Sequence, residues 1–334
     1  MPNPTRAVMI ALTGALVLLA AQDQAVTQGE GLKLEAKIPI GNVNGRIDHM
    51  AIDLARQRLF IAELGNNTVG IVDLNSRNVI HTLSGFKEPQ GVAYLPSTDT
   101  LYIASGGDGS VRQFRGPDYT AAGQIDLGDD ADNIRLDIPA NRLVVGYGSG
   151  GLAVIDATSS RKIADIPLSV HPEAFQLDPG SNRVFVNLPK AQAIAIVDRQ
   201  SGKQTVTWPM RIAGGNFPMA LDATARHVLV AFRDPAKLGV FSMDEGTVIA
   251  SPDICADADD LFVDAKRQRV YISCGEGFLD VLDTAQGAYR RVARVATVSG
   301  ARTSLFVPEM DRLMLAVRAS GSEAAAIWVF QPMP

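Results

Sequence analysis

The sequence is poor in the features that mark most enzymes and nucleic-acid-binding proteins. Two cysteines in 334 residues exclude a disulfide-dense scaffold and a multi-cysteine zinc or iron–sulfur framework. Only 20% of the residues are charged, the formal net charge is −5 and no lysine or arginine cluster occurs, so nothing builds the positive field that phosphate backbones require. Nucleic acid is therefore not expected as a partner. Nucleophile-elbow, haem-attachment and zinc-ligand spacings are absent. The glycine-rich stretches 106–110 and 146–151 connect strand patterns with no helix following, which removes the usual phosphate cradle.

Long hydrophobic runs are absent too, with one exception. Arg6 precedes an uncharged stretch, 7–21 (AVMIALTGALVLLAA), that is shorter than the ~20 residues a membrane-spanning helix needs. A basic residue, a short apolar core and the small residues Ala20, Ala21 and Ala25 compose a signal peptide over 1–25, and no Cys follows to carry a lipid. Export to the periplasm or outside the cell is expected, with no membrane span after cleavage. In an oxidising compartment Cys255 and Cys274 read as a disulfide, the alternative being two separate thiols.

What is abundant is short-strand material: 46% hydrophobic residues, 30 Gly and 18 Pro. A strand pattern of basic or polar residue, then alternating large apolar residues, recurs seven times. Its central residues are Phe60, Tyr102, Val144, Phe185, Leu229, Tyr271 and Met314, separated by 41 to 44 residues. Each copy has an apolar strand about seven residues upstream, an alternating strand downstream and a fourth strand after that, with Gly, Asn, Asp and Ser between them. This period and strand count predict an all-β, seven-bladed β-propeller of four-stranded antiparallel blades over 32–334, with blades starting near 46, 88, 130, 171, 215, 257 and 300. The seventh copy ends without a fourth strand. The otherwise unused 32–40 (LKLEAKIPI) resembles one, so the N-terminal strand is predicted to complete the last blade and close the ring.

The segments 59–73 (LFIAELGNNTVGIVD) and 184–198 (VFVNLPKAQAIAIVD) resemble the repeat of the YVTN family of bacterial β-propellers, a Tyr-Val-Thr-Asn-type strand followed by Asn-x-Val-x-Val-x-Asp. The resemblance extends over essentially all of 32–334 and implies a periplasmic or extracellular binding protein; similar propellers also serve as subunits or domains of redox enzymes. The motif lists core and turn positions and selects no activity.

Because inner strands run parallel around a propeller axis, aligned residues form rings at one channel mouth. The first ring reads Asp48, Gln90, Asp132, Glu173, Phe217, Asp259 and Arg302; the next contains His49, Gly91, Asn133, Ala174, Pro218, Asp260 and Thr303. Four carboxylates in one ring, with Asp260 and Asp130 nearby, call for a cation, a shared proton or a basic neighbour such as Arg46, Arg302 or His49. The candidate ligand-binding residues are thus Asp48, His49, Gln90, Asp132, Asn133, Glu173, Asp259, Asp260 and Arg302. Asp132, Glu173 and Asp259 supply hard oxygen donors for a divalent cation, Ca²⁺ or Mg²⁺; no other cofactor is expected. His81, His171 and His227 occupy different repeat positions and form no ligand triad. Asp53, Asp137, Asp178, Asp222 and Asp264 recur before basic residues and read as turn-forming acids.

The leading functional reading is a non-enzymatic, monomeric binding or scaffold protein that engages a protein, an envelope component or a small ligand at an acidic channel mouth. Two alternatives stand beside it. One is a metal-dependent lactonase-like hydrolase, in which the ion would polarise a carbonyl and activate water. The other is an accessory subunit of a periplasmic redox enzyme.

Overall fold

The computed structural model describes residues 1, 31–321 and 323–334; apart from Met1, the expected signal peptide lies outside the described residues. Twenty-eight strands and four single-turn 3₁₀ segments form seven four-stranded antiparallel sheets, arranged as the blades of a propeller. The inner strands open at Met50, Pro89, Ile134, Phe175, Gly214, Ala258 and Thr303.

Burial follows position in the blade. The second and third strands of the first blade, Arg58–Glu63 and Thr68–Asp73, are buried almost throughout because both of their faces meet neighbouring blades. They accordingly read as continuous apolar runs. The outer strand Asn78–Leu83 is exposed apart from Val79, which is half-buried, and Leu83, which is buried. The core is divided into seven clusters of buried side chains, and each joins two consecutive blades. Phe60 and Ile71 of the first blade, for example, pack on Tyr94 and Ile103 of the second.

The recurring acids act locally. Side-chain oxygens of Asp53, Asp178, Asp222 and Asp264 accept backbone N–H groups from the turn that follows. The basic residues beyond them then reach across to the next blade. Arg56 joins Asp53 to Asp99, and Arg267 joins Asp264 to Asp311. Six of these inner-to-second-strand turns end in a left-handed residue, at Gln57, Asp99, Asn141, Arg226, Gln268 and Asp311. Polar residues tolerate that conformation better than branched ones do.

The ring closes as the repeat requires. Leu32–Pro39 pairs antiparallel with Ala326–Pro332, setting Ile38 opposite Ile327 and Lys37 opposite Trp328. Ile38 and Ile40 enter the cluster between the seventh and first blades, and Leu32 enters the one between the sixth and seventh. Lys37 lies 3.8 Å over the Trp328 ring and 2.7 Å from Glu323. One short strand thus covers two interfaces.

Ile38→Ala, at a site only 2% exposed, should lower stability by about 2–5 kcal/mol, the usual cost of emptying a core position. Deleting 32–40 should abolish the cooperative thermal transition. A deletion product that remained a stable monomer by sedimentation would overturn this account of closure.

Candidate functional site

The inner strands leave an axial cavity of about 820 Å³. Asp48, His49, Gln90, Asp132, Asn133, Glu173, Asp259, Asp260 and Arg302 all line it, as do Phe217, Ala174, Pro218 and Thr303 from the same two rings. Gly91 lies where its blade presses on the next: a Cβ there would meet the Asp132 carbonyl oxygen at 2.0 Å. That position can only be glycine without a shift of backbone.

The mouth differs from the expected acidic one in its charge balance. Arg46, Arg135, Arg233, Arg302, Lys190, His49 and His171 line the cavity beside the carboxyls. Arg46 lies 2.7 Å from one oxygen of Asp48, and His49 Nδ1 lies 2.8 Å from the other. Arg302 grips Asp257 at 2.6 Å and Asp259 at 3.0 Å, while Arg233 also pairs with both. His171 Nδ1 donates to the Gly148 carbonyl, 2.6 Å away, and Asp130 and Asp132 lie 3.4 and 3.9 Å from the ring. Asp48 is thus matched by its neighbours Arg46 and His49, and Asp257 and Asp259 by arginines from the blades on either side.

Blade five supplies a roof. Its inner and second strands, Gly214–Asp222 and His227–Asp234, run to nine and eight residues, against four for the inner strand Met50–Asp53 of the first blade. The extension brings Arg233 over Phe217, with the guanidinium 3.9 Å from the ring centre. Arg233 thereby stacks on an aromatic face while pairing with Asp259.

A disulfide joins Cys255 to Cys274 with a Cα–Cα distance of 5.8 Å. The segment it anchors carries Asp257, Asp259 and Asp260 just downstream. Asp280, fully buried, accepts the Cys255 N–H at 2.7 Å and is clamped by Arg294. Covalent and ionic ties therefore fix one acidic wall of the mouth.

Three residues below the mouth lies a further ring that the two sequence rings do not include. Strand register sets Ala51, Ala93, Arg135, Gln176, Ala220, Phe262 and Leu305 directly opposite the seven repeat-marking residues Phe60, Tyr102, Val144, Phe185, Leu229, Tyr271 and Met314. Arg135 is the one charge in it. Its guanidinium donates to the Ile134 carbonyl at 2.9 Å and lies 5.6 Å from the Phe175 ring. No carboxylate lies within ion-pair distance of it among the described residues. Burial weakens its hold on its proton, an effect that Asp260 and Asp132 only partly offset. Sequence alignment carried two steps further would have found this arginine, standing where other blades place alanine.

Among the described residues no three His, Cys, Asp or Glu side chains are grouped to hold an ion. Asp259 is already held by two arginines.

By fold the chain has counterparts. It is similar to a chain of the hydrazine synthase of Kuenenia stuttgartiensis, at 16% identity and TM-score 0.72 over 83% of this chain and 93% of that one. It is also similar to a chain of a mitotic checkpoint complex, at 12% identity and TM-score 0.76 over 97% and 98%. At such identities the likeness is one of fold alone. No family profile matches the sequence, and no curated protein does. Among the described residues no helix is long and apolar enough to cross a membrane.

Protonation in the channel is displaced from ordinary values. Burial opposes the charge on His49, but Asp48 in contact, with Asp132 and Asp260 beyond, outweighs it and raises the pKa from 6.5 to about 9. Burial raises Glu173 from 4.5 to about 7, with Asp132 adding to the effect and His171 opposing it. Asp260 is likewise raised by burial to about 7, against the pull of His49. A raised folded-state pKa contributes stability while the proton is bound and loses it as pH climbs. The His49 contribution is therefore complete below 6.5 and gone above about 9, and those of Glu173 and Asp260 fade through about 7.

Melting temperature should accordingly fall from about pH 6 to about pH 9.5. Glu173→Gln should flatten the lower part of that fall and His49→Gln the upper part, as read from melts across the range; superimposable curves for the variants and the parent would contradict these assignments. Replacing both Cys255 and Cys274 by Ser should cost about 3 kcal/mol in urea unfolding, the chain-entropy value for a loop of this size.

Proposed function

We propose that the protein is an exported binding protein of YVTN type whose axial channel takes a small polar ligand. The observation that carries this reading is the axial cavity, on which charged and amide side chains from different blades converge beside apolar residues such as Leu177, Leu221 and Leu305. A concave site lined by polar and apolar groups alike suits a small ligand that is itself polar. The signal-peptide pattern in 1–25 and the disulfide support a periplasmic or secreted location. That each blade's apolar faces are covered within the chain supports a monomeric state. The likeness to the hydrazine synthase chain carries no redox role to this protein at 16% identity.

Binding stabilises the form that binds, by about 2.7 kcal/mol at a hundredfold excess over Kd. In a thermal-shift screen of small polar metabolites, at least one should raise the melting temperature of the parent and leave Ala174→Trp, which fills the mouth, unmoved. If no compound shifts the parent, native mass spectrometry of freshly purified protein finds no bound small molecule, and an envelope protein copurifies instead, the channel reading is wrong and a rim-binding scaffold replaces it. Stoichiometric Ca²⁺ after dialysis, lost from Asp132→Ala, would instead restore the metal reading.

A further inference from the structure

The channel's internal pairing leaves a small, defined set of groups unanswered, and they describe a ligand. Asp48 is taken up by Arg46 and His49, and Asp259 by Arg233 and Arg302. Asp260 receives the Ser304 N–H at 2.8 Å. What remains on the positive side is Arg135, with no carboxylate in ion-pair range among the described residues; Lys190, the other cation of the lining without an ion pair, is exposed to solvent. What remains on the accepting side is Asp132 Oδ1 and Asn133 Oδ1, which have no hydrogen-bond partner although their residues are only 6% and 3% exposed. Glu173 adds a carboxyl with no cation in ion-pair range.

A half-buried guanidinium and two orphaned buried acceptors are each costly without a partner. Fold does not require this arginine. The equivalent positions in five other blades are Ala51, Ala93, Ala220, Phe262 and Leu305, paired in the same register to the same marker residues. A carbonyl contact and a distant aromatic ring do not call for a positive charge. Asp132 and Asn133 lead directly into the inner strand Ile134–Asp137 that carries Arg135, and both pair with the backbone of Gly146 at 2.9 and 3.0 Å. Asn133 and Arg135 are two residues apart on this extended stretch, so their side chains leave the backbone roughly 6.6 Å apart along the channel, and Glu173 belongs to the next blade. Donor and acceptors thus face one short stretch of the cavity.

We propose that the channel receives a small carboxylate whose neighbouring carbons carry hydrogen-bond donors, a hydroxy acid or an amino acid. The carboxylate lies in the fork of Arg135, which matches it bidentately, and the hydroxyl or ammonium hydrogens go to Asp132 Oδ1, Asn133 Oδ1 and Glu173. This rests on the channel-binding reading above and specifies its ligand.

Four probes test it by calorimetry: gluconate (hydroxy acid), glutamate (amino acid), sorbitol (neutral polyol) and putrescine (cation). Gluconate or glutamate should bind and sorbitol and putrescine should not; which of the two carboxylates binds tells hydroxyl from ammonium. Arg135→Gln should weaken that binding at least about tenfold, as loss of a charged hydrogen bond does, while Arg135→Lys keeps part of it. The melting temperature of unliganded Arg135→Gln should equal or exceed the parent's, because a half-buried unpaired charge is removed. Carboxylate binding unchanged in Arg135→Gln, or a fall in its melting temperature as large as that of a core truncation, would overturn the assignment. Binding of sorbitol or putrescine alone would overturn it too and leave the channel-binding reading standing. Silence from all four probes with the parent protein would count against both.

Discussion

The whole structure depends on the need of each blade to cover two apolar faces. A four-stranded sheet whose second and third strands are buried on both sides cannot stand alone in water, and here every cluster of core side chains is shared by two consecutive blades. Such units must follow one another until the last meets the first. The arginines that follow the turn acids repeat the same logic at the rim, since Arg56 and Arg267 each hold an acid of their own blade and one of the next. The axial channel is a by-product of this closure: seven wedges meet around an axis that their inner strands cannot fill.

How much of this is legible in the sequence follows from what recurs. Core and turn residues repeat with the blade, so the fold, the number of blades and the use of 32–40 to finish the seventh could all be read from spacing. The mouth was legible in part, because residues that open each inner strand vary while their neighbours do not, and all nine candidates drawn from that variation line the cavity. Its charge was legible in part: Arg46, His49 and Arg302 could be named as neighbours relieving the carboxylates, and they pair with Asp48 and Asp259, but the full set of pairs could not. Arg233 reaches Asp259 from 26 residues away, Arg302 reaches Asp257 from 45, and the balance of the site depends on such cross-blade pairs. Arg135 escaped for a different reason: its ring holds alanine in three blades and so resembles packing.

Electrostatically the channel is a place where the fold tolerates cost. His49, Glu173 and Asp260 all carry proton affinities moved toward or past neutrality by burial and by one another. Groups displaced in this way collect where a protein binds or reacts more often than where it merely packs. The disulfide, Asp280 and its arginines hold the wall bearing Asp259 and Asp260 from behind. A site whose members repel or lack partners needs a rigid support of this kind.

The seam between Leu32–Pro39 and Ala326–Pro332 also orders events in time. Leu32–Pro39, made before every other described strand, is the last of them to find its place, since its partner lies about three hundred residues downstream and is the last described strand. Until then both the first blade and the seventh present an uncovered face, and no earlier point of synthesis can seal the ring. Completion is all or nothing, and a chain cut short by even its last ten residues would be left with an open edge ready to pair with another molecule.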